Sequence, residues 1–187
     1  MKRDLFAALT IAGLALAFEA WGHHSFDFFA STEDERFIVT EGTITDVRLV
    51  NPHSGIFLNV AFEAGETAQW GLETRPAVHL LRRGWTNNTL KVGQHVKFAG
   101  ERLRDENRAW FRAMLVPGDM PDDVARVYIE LEALDPPERE EFRTRFESFP
   151  ACEDIVELCY ELSAEALISL HEEYGDRDFL IPASTAE

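Results

Sequence analysis

The stretch FIVTEGTITDVRLV, residues 37–50, followed by the pentapeptide NPHSG at 51–55, decides the fold. Eight of its fourteen residues are Val, Ile or Thr, the β-branched side chains that pack well on a pleated strand. The run is long for a single strand, and Gly42 near its middle removes a side chain where a strand coiling round a small barrel must bend. Alternation assigns Phe37, Val39, Val47 and Leu49 to one face, with Thr43 and Thr45 between them. Asn51-Pro52-His53-Ser54-Gly55 is a turn by composition.

Downstream, Ile56, Leu58, Val60 and Phe62 alternate with Phe57, Asn59 and Ala61, which predicts a second strand. Ala64-Gly65-Glu66 turns the chain into a third strand, Thr67 to Glu73, carrying Trp70 and Leu72. Arg75 to Gly84 reads as a short helix, with Pro76 suited to its first turn and Gly84 to its stop. A fourth strand follows from Gln94 to Gly100 and a fifth from Arg108 to Val116, with Trp110, Met114 and Val116 on one side and Phe111 and Leu115 on the other. Five short strands with a helix between the third and fourth predict an α+β chain built on an OB-like β-barrel over residues 23–117. A small β-sandwich would give the same string and stays open.

Pro117 to Pro121 has the composition of a linker, placed at 118–121. Beyond it Val124, Val127, Tyr128, Leu131 and Leu134 recur at helical spacing. Asp135-Pro136-Pro137 opens a second helix with a stripe of Phe142, Phe146 and Phe149, stopped by Pro150. A third stripe runs through Ile155, Leu158, Cys159, Leu162, Ala166 and Leu170 to a stop at Gly175, with a break capped by Ser163. Residues 122–175 are therefore expected to form an acidic helical extension whose stripes need one another or the barrel, and 176–187 a loose tail.

Upstream, Lys2 and Arg3 precede the apolar run Leu5–Phe18, which is 14 residues long. A membrane span needs about 20. The pattern is that of a secretion signal, expected at residues 1–22, with Ala20 three residues before the cut. Cleavage after Ala17 is the alternative. Export to an oxidising compartment, the bacterial periplasm, is the localisation this implies.

The net charge of −16 is uneven. Residues 121–187 carry 19 acidic and 5 basic side chains, a net of −14. Such a chain repels phosphate backbones, which argues against nucleic acid as a partner, and with the signal removed no stable membrane anchor is expected. The acidic part could recognise a protein partner; the plainer role of such a face is to keep the chain soluble.

Cleavage after Gly22 would make His23 the first residue. Its α-amine, with a pKa of about 7.7–8.0, and its imidazole could then grip one Cu²⁺ ion in the tetragonal nitrogen geometry that copper favours. His24 could add a nitrogen, and His53 a third imidazole from the first turn. Glu73, at the end of the third strand, is a weaker ligand candidate and is expected to pair with Arg75 instead. The plain alternative is a solvated histidine pair and a turn histidine that caps backbone groups. His79, His95 and His171 read as structural. No Gly-rich phosphate loop, nucleophile elbow or H-E-x-x-H helix is present.

Cys152 and Cys159 are the only cysteines. Seven residues along one helix rise about 10.5 Å, too far for a bridge, whose Cα atoms lie about 4.4–6.8 Å apart. A disulfide therefore requires Cys152 to lie before the helix; buried free thiols are the alternative.

HHSF at 23–26, TEGTITDV at 40–47, NPH at 51–53, W-x-L-E at 70–73 and LLRRGW at 80–85, followed by Leu90 and Val92-Gly93, occur in that order. In these motifs the chain resembles a family of small exported bacterial proteins, the domain of unknown function DUF6152. The resemblance runs from His23 to about Val116 and implies an exported small β-barrel but no activity. The acidic part beyond about Gly118 is outside it. The leading functional reading is a non-enzymatic copper-binding protein using His23, His24 and His53. The second is an interaction module in which the barrel or residues 121–187 bind a protein, and the third a copper-dependent redox enzyme.

Overall fold

In the computed structural model, strand β1 (Phe37–Arg48) is shared between two neighbours. Its first half pairs antiparallel with β4 (His95–Arg102) and its second half with β2 (Ser54–Ala61), the two ladders meeting at Thr43. The structure describes residues 36–62, 65–103, 107–118, 124–131, 134–156 and 158–181. The expected signal, the His23-His24 pair and most of the tail lie outside these residues.

The strand β3 (Thr67–Thr74) pairs antiparallel with β2, and β5 (Arg108–Val116) pairs antiparallel with β4. Gly71, Leu72 and Glu73 of β3 then pair in parallel with Arg108, Ala109 and Trp110 of β5. That last ladder closes five strands into a barrel in the order β1-β2-β3-β5-β4 and back to β1. Helix α1 (Ala77–Arg82) sits between β3 and β4 in sequence, and Gly84 just past it has φ of +92°. The five predicted strands and the short helix are all present.

Ile44, Ile56, Leu58, Val60, Trp70, Leu72, Val96, Phe98, Phe111 and Met114 fill the interior, each at most 2% exposed. At roughly 1.5–3 kcal/mol per large apolar side chain, this burial outweighs any surface ion pair, worth about 0–1 kcal/mol. Gly42 makes the tight winding of β1 feasible. A Cβ there would stand 2.8 Å from the Asn59 carbonyl oxygen and 3.1 Å from Val60 Cγ2.

Two irregularities reverse the faces expected from alternation. The β1–β2 register shifts between Ile44 and Asp46, so Thr45 is an extra residue. Phe37 and Val39 therefore face away from the barrel interior, whereas Val47 and Leu49 pack against it. In β5 the register shifts at Arg112, since Ala113 pairs with Ala99 and Phe111 with Gly100. Phe111, Met114 and Val116 point inward as a result, Ala113 and Leu115 outward. A β-bulge changes side-chain parity by one, and period-two counting assumes none.

The C-terminal part is not the helical extension that periodicity predicts over 122–175. It supplies two strands and two helices. Strand β6 (Ala125–Ile129) pairs antiparallel with β5, and β7 (Cys159–Leu162) with β6, extending the barrel wall to a seven-stranded sheet. Helices α2 (Pro136–Phe146) and α3 (Ala164–Asp178) follow β6 and β7 respectively. The residues Val127, Tyr128 and Ile129 are successive and all buried, as in a strand covered on both faces. Tyr128 belongs to the barrel core, while Val127 and Ile129 face a second core with Phe142, Phe146, Leu162 and Leu170. A run apolar on both sides satisfies a helical spacing by accident.

Other expectations in this part hold. Asp135 precedes α2, its backbone N–H donating to Glu138 Oε2 at 3.2 Å, and Ser163 Oγ accepts from the Ala166 N–H at 3.2 Å. Gly175, with φ of +77°, interrupts α3. The expected loose tail is corrected at its start, since Phe179, Leu180 and Ile181 are buried in the second core.

Cys152 and Cys159 are joined by a disulfide, with Cα atoms 5.4 Å apart. This is feasible because Cys152 lies in a loop and Cys159 in β7, not on one helix. The bridged loop packs Ile155 into the barrel core, and the Val156 N–H donates to the Arg83 carbonyl at 2.8 Å. One buried ion pair completes the join, and a second lies within the barrel wall. Arg75, at the entry to α1, pairs with Glu130 just after β6. Glu101 accepts from Arg112 and, at 2.8 Å, from Arg36 Nε, which holds the first turn of the described chain against β4 and β5.

Two outcomes follow. Replacing Gly42 by Val forces the β1–β2 contact apart and should cost about 1–3 kcal/mol, read as a lower urea midpoint with an unchanged m-value. A midpoint equal to wild type would contradict the close approach. Burial also pushes the phenols of Tyr128, Tyr160 and Tyr174 above their ordinary value. The fold holds these groups neutral, so their contribution is intact below about pH 10 and falls above it, where the unfolded chain ionises first. Phenolate absorbance should rise together with the loss of circular dichroism; gradual ionisation near pH 10 in a still-folded protein would contradict this.

Candidate functional site

The turn between β1 and β2 is fixed from both sides. Asn51–Pro52 is a cis peptide, and the Ser54 hydroxyl donates to the Val50 carbonyl at 3.2 Å. The Ser54 N–H donates to the Arg75 carbonyl at 3.1 Å, and the Ala77 N–H to the Val50 carbonyl at 2.9 Å. His53 is thus anchored against the β3–α1 junction. Its side chain is 20% exposed, with Nδ1 3.4 Å from Glu73 Oε2. Its ring meets Trp110 edge-on, the centroids 5.1 Å apart.

Glu73 is the hub. Its carboxylate faces His53 through one oxygen and the Arg108 guanidinium through the other. This corrects the expected Glu73–Arg75 pair: Arg75 is turned to Glu130, because adjacent odd-numbered positions separate once β3 ends and α1 begins. Metal-ligating histidines commonly keep a carboxylate beside the nitrogen that does not bind the metal, and Glu73 stands beside Nδ1 of His53. The barrel closure creates this cluster. Gly55, Glu73, Trp110, Glu101 and Phe37 are successive register partners across β2, β3, β5, β4 and β1.

Of the residues read as ligands, the structure brings His53 and Glu73 together. His23 and His24 lie outside the described residues. No group of three or more His, Cys, Asp or Glu poised for a metal occurs among the described residues. His95 Nε2 lies 3.5 Å from Glu41 Oε2 on the exposed surface, His79 is exposed on α1, and His171 packs against Phe179. Arg108 and Trp110 were absent from the sequence reading of the site. Each reaches it through the parallel β3–β5 ladder, and pairing between strands more than thirty residues apart leaves no local signature.

The fold and this cluster define a small closed β-barrel with an imidazole–carboxylate pair at its first turn, enlarged by a C-terminal two-strand, two-helix unit. The chain belongs to DUF6152, a family of unknown function, whose family model matches residues 12–112. A search of curated proteins returned no match. The match ends within β5, so β6, β7, α2 and α3 stand outside it.

Proposed function

We propose that this is an exported, OB-type barrel protein that binds Cu²⁺ without catalysing a reaction, using the His23 amine and imidazole, His24 and His53, with Glu73 orienting His53. The observation that carries this reading is the barrel closure. Phe37, where β1 begins, is two register partners from Trp110 and three from Glu73. At about 4.8 Å per strand, the start of β1 is about 14 Å from Glu73. The 11 residues between His24 and Arg36 let the chain extend about 40 Å, well beyond that separation. The imidazole at the β1–β2 turn and the N-terminal nitrogens are therefore within mutual reach.

Four nitrogen donors suit Cu²⁺ better than oxygen-seeking cations. The disulfide supports export, because such bonds persist in oxidising compartments. The strand order and the helix between β3 and β4 support the OB-type assignment. The interaction reading is weakened by how the acidic part uses its apolar stripes: Phe142, Phe146, Leu162 and Leu170 face the barrel wall. A basic protein partner would have to bind the remaining charged surface.

The test is a Cu²⁺ titration of the secreted protein, with its first residue established by intact mass. A chain beginning at His23 should bind Cu²⁺ at least about tenfold more tightly than its His53→Ala variant or a form with one alanine added before His23. A chain beginning elsewhere, or equal affinities among the three forms, would overturn the reading.

A further inference from the structure

Of the eight large apolar side chains left exposed among the described residues, four gather along α1: Val50, Val78, Leu81 and Val156. Val78 and Leu81 stand three apart on the helix, which puts them on one face, while Ala77 and Leu80 are buried. The segments carrying the other two are tied to the helix at its ends. The Ala77 N–H donates to the Val50 carbonyl at 2.9 Å, and the Val156 N–H to the Arg83 carbonyl at 2.8 Å. Single apolar side chains scattered over a surface are ordinary, but this is a ridge of four, each 41–62% exposed. Its rim is cationic, with Arg82 in the last turn of the helix and Arg83 just past it.

The chain itself supplies a segment of matching chemistry. Residues 23–35, HHSFDFFASTEDE, lie outside the described residues and carry three Phe within four positions. They also carry Asp27, Glu33, Asp34 and Glu35 but no Lys or Arg, which suits the cationic rim. A second copy would instead bring a net charge of −16 to a chain of the same charge. The length fits at both ends. His53 is three residues past Val50, and with His24 at His53 the four steps to Phe28 give about 13 Å of chain. At the other end, Arg36 and Arg112 both donate to Glu101. The Arg112 carbonyl accepts from the Glu130 N–H at 2.6 Å, and Glu130 pairs with Arg75 at the entry to α1. The seven steps from Phe29 to Arg36, about 23 Å of chain, run alongside this relay of side chains.

We propose that Phe26, Phe28 and Phe29 dock on the ridge of Val50, Val78, Leu81 and Val156, which holds His23 and His24 beside the His53 turn before any metal arrives. The inference rests on the copper reading for where the chain begins, so its test is run without copper. In a metal-free chain that begins at His23, kept in chelator, the Phe26, Phe28 and Phe29 rings should give NOEs to the Val78 and Leu81 methyls. The amide shifts of residues 26–29 should differ from those of the free 23–35 peptide. In the double variant Val78→Gln, Leu81→Gln, with an unchanged melting temperature, those amides should return to the peptide values. If the double variant melts lower, Leu81→Gln alone, on the more exposed of the two side chains, replaces it with the same expected return. Peptide-like shifts in the wild-type chain, or shifts unchanged in a folded variant, would overturn the proposal. So would NOEs that a mixture of labelled and unlabelled chains traces to a second copy. Docking without any Cu²⁺ binding would remove the copper reading and support this one. Tight Cu²⁺ binding by a chain whose metal-free shifts are peptide-like would do the reverse.

Discussion

Five short strands in an open sheet leave two rows of backbone donors and acceptors without partners, and the parallel ladder between β3 and β5 removes both edges. Only Gly71 to Glu73 and Arg108 to Trp110 take part. Everything proposed for the site depends on this short ladder. It places Glu73 between His53 and Arg108, sets Trp110 against the imidazole, and carries the register round to the start of β1. The bend at Gly42 lets one strand serve both β2 and β4, without which the ladder could not form. A parallel pairing of distant segments is entropically costly to establish, and the fully buried barrel interior offsets that cost.

The C-terminal unit solves a different problem. Outside the barrel, β4 and β5 present Ala99, Ala113 and Leu115, an apolar face that the closed barrel itself does not cover. The strands β6 and β7 extend that wall, and Phe142, Phe146 and Leu170 from the helices lie over it. The disulfide loop and the Arg75–Glu130 pair hold the join at the opposite face. A buried ion pair contributes less to net stability than its Coulomb attraction suggests, because both charges lose water. Its clearer consequence is that α1 and the end of β6 have one relative placement. Most of the acidic side chains among the described residues of this unit face solvent, Glu130 and Glu138 being buried.

The barrel strands were legible because β2 and β3 alternate cleanly and the turns between elements carry Gly, Pro and Asn. Legibility ended wherever a strand was not regular or not half-exposed. The extra residues Thr45 and Arg112 reverse parity, and neither is marked by glycine or proline. Residues 125–129 look helical because a strand buried on both faces need not alternate. Of the site, His53 and Glu73 could be picked out as chemical types at turn and strand ends. Their meeting, and the arrival of Arg108 and Trp110, belong to the closure and have no imprint in local sequence.

The central claim is that the chain end beginning with His23 and the His53–Glu73 corner share one copper ion. Paramagnetic Cu²⁺ broadens nearby nuclei steeply with distance, so its effect on the NMR spectrum maps where it sits. Substoichiometric Cu²⁺ added to a chain that begins at His23 should erase the Trp110 indole N–H and the Gly55 and Glu73 amides first, while α2 and α3 amides stay sharp. A sharp Trp110 signal, with broadening confined to the N-terminal residues or spread over the acidic helices, would contradict the account.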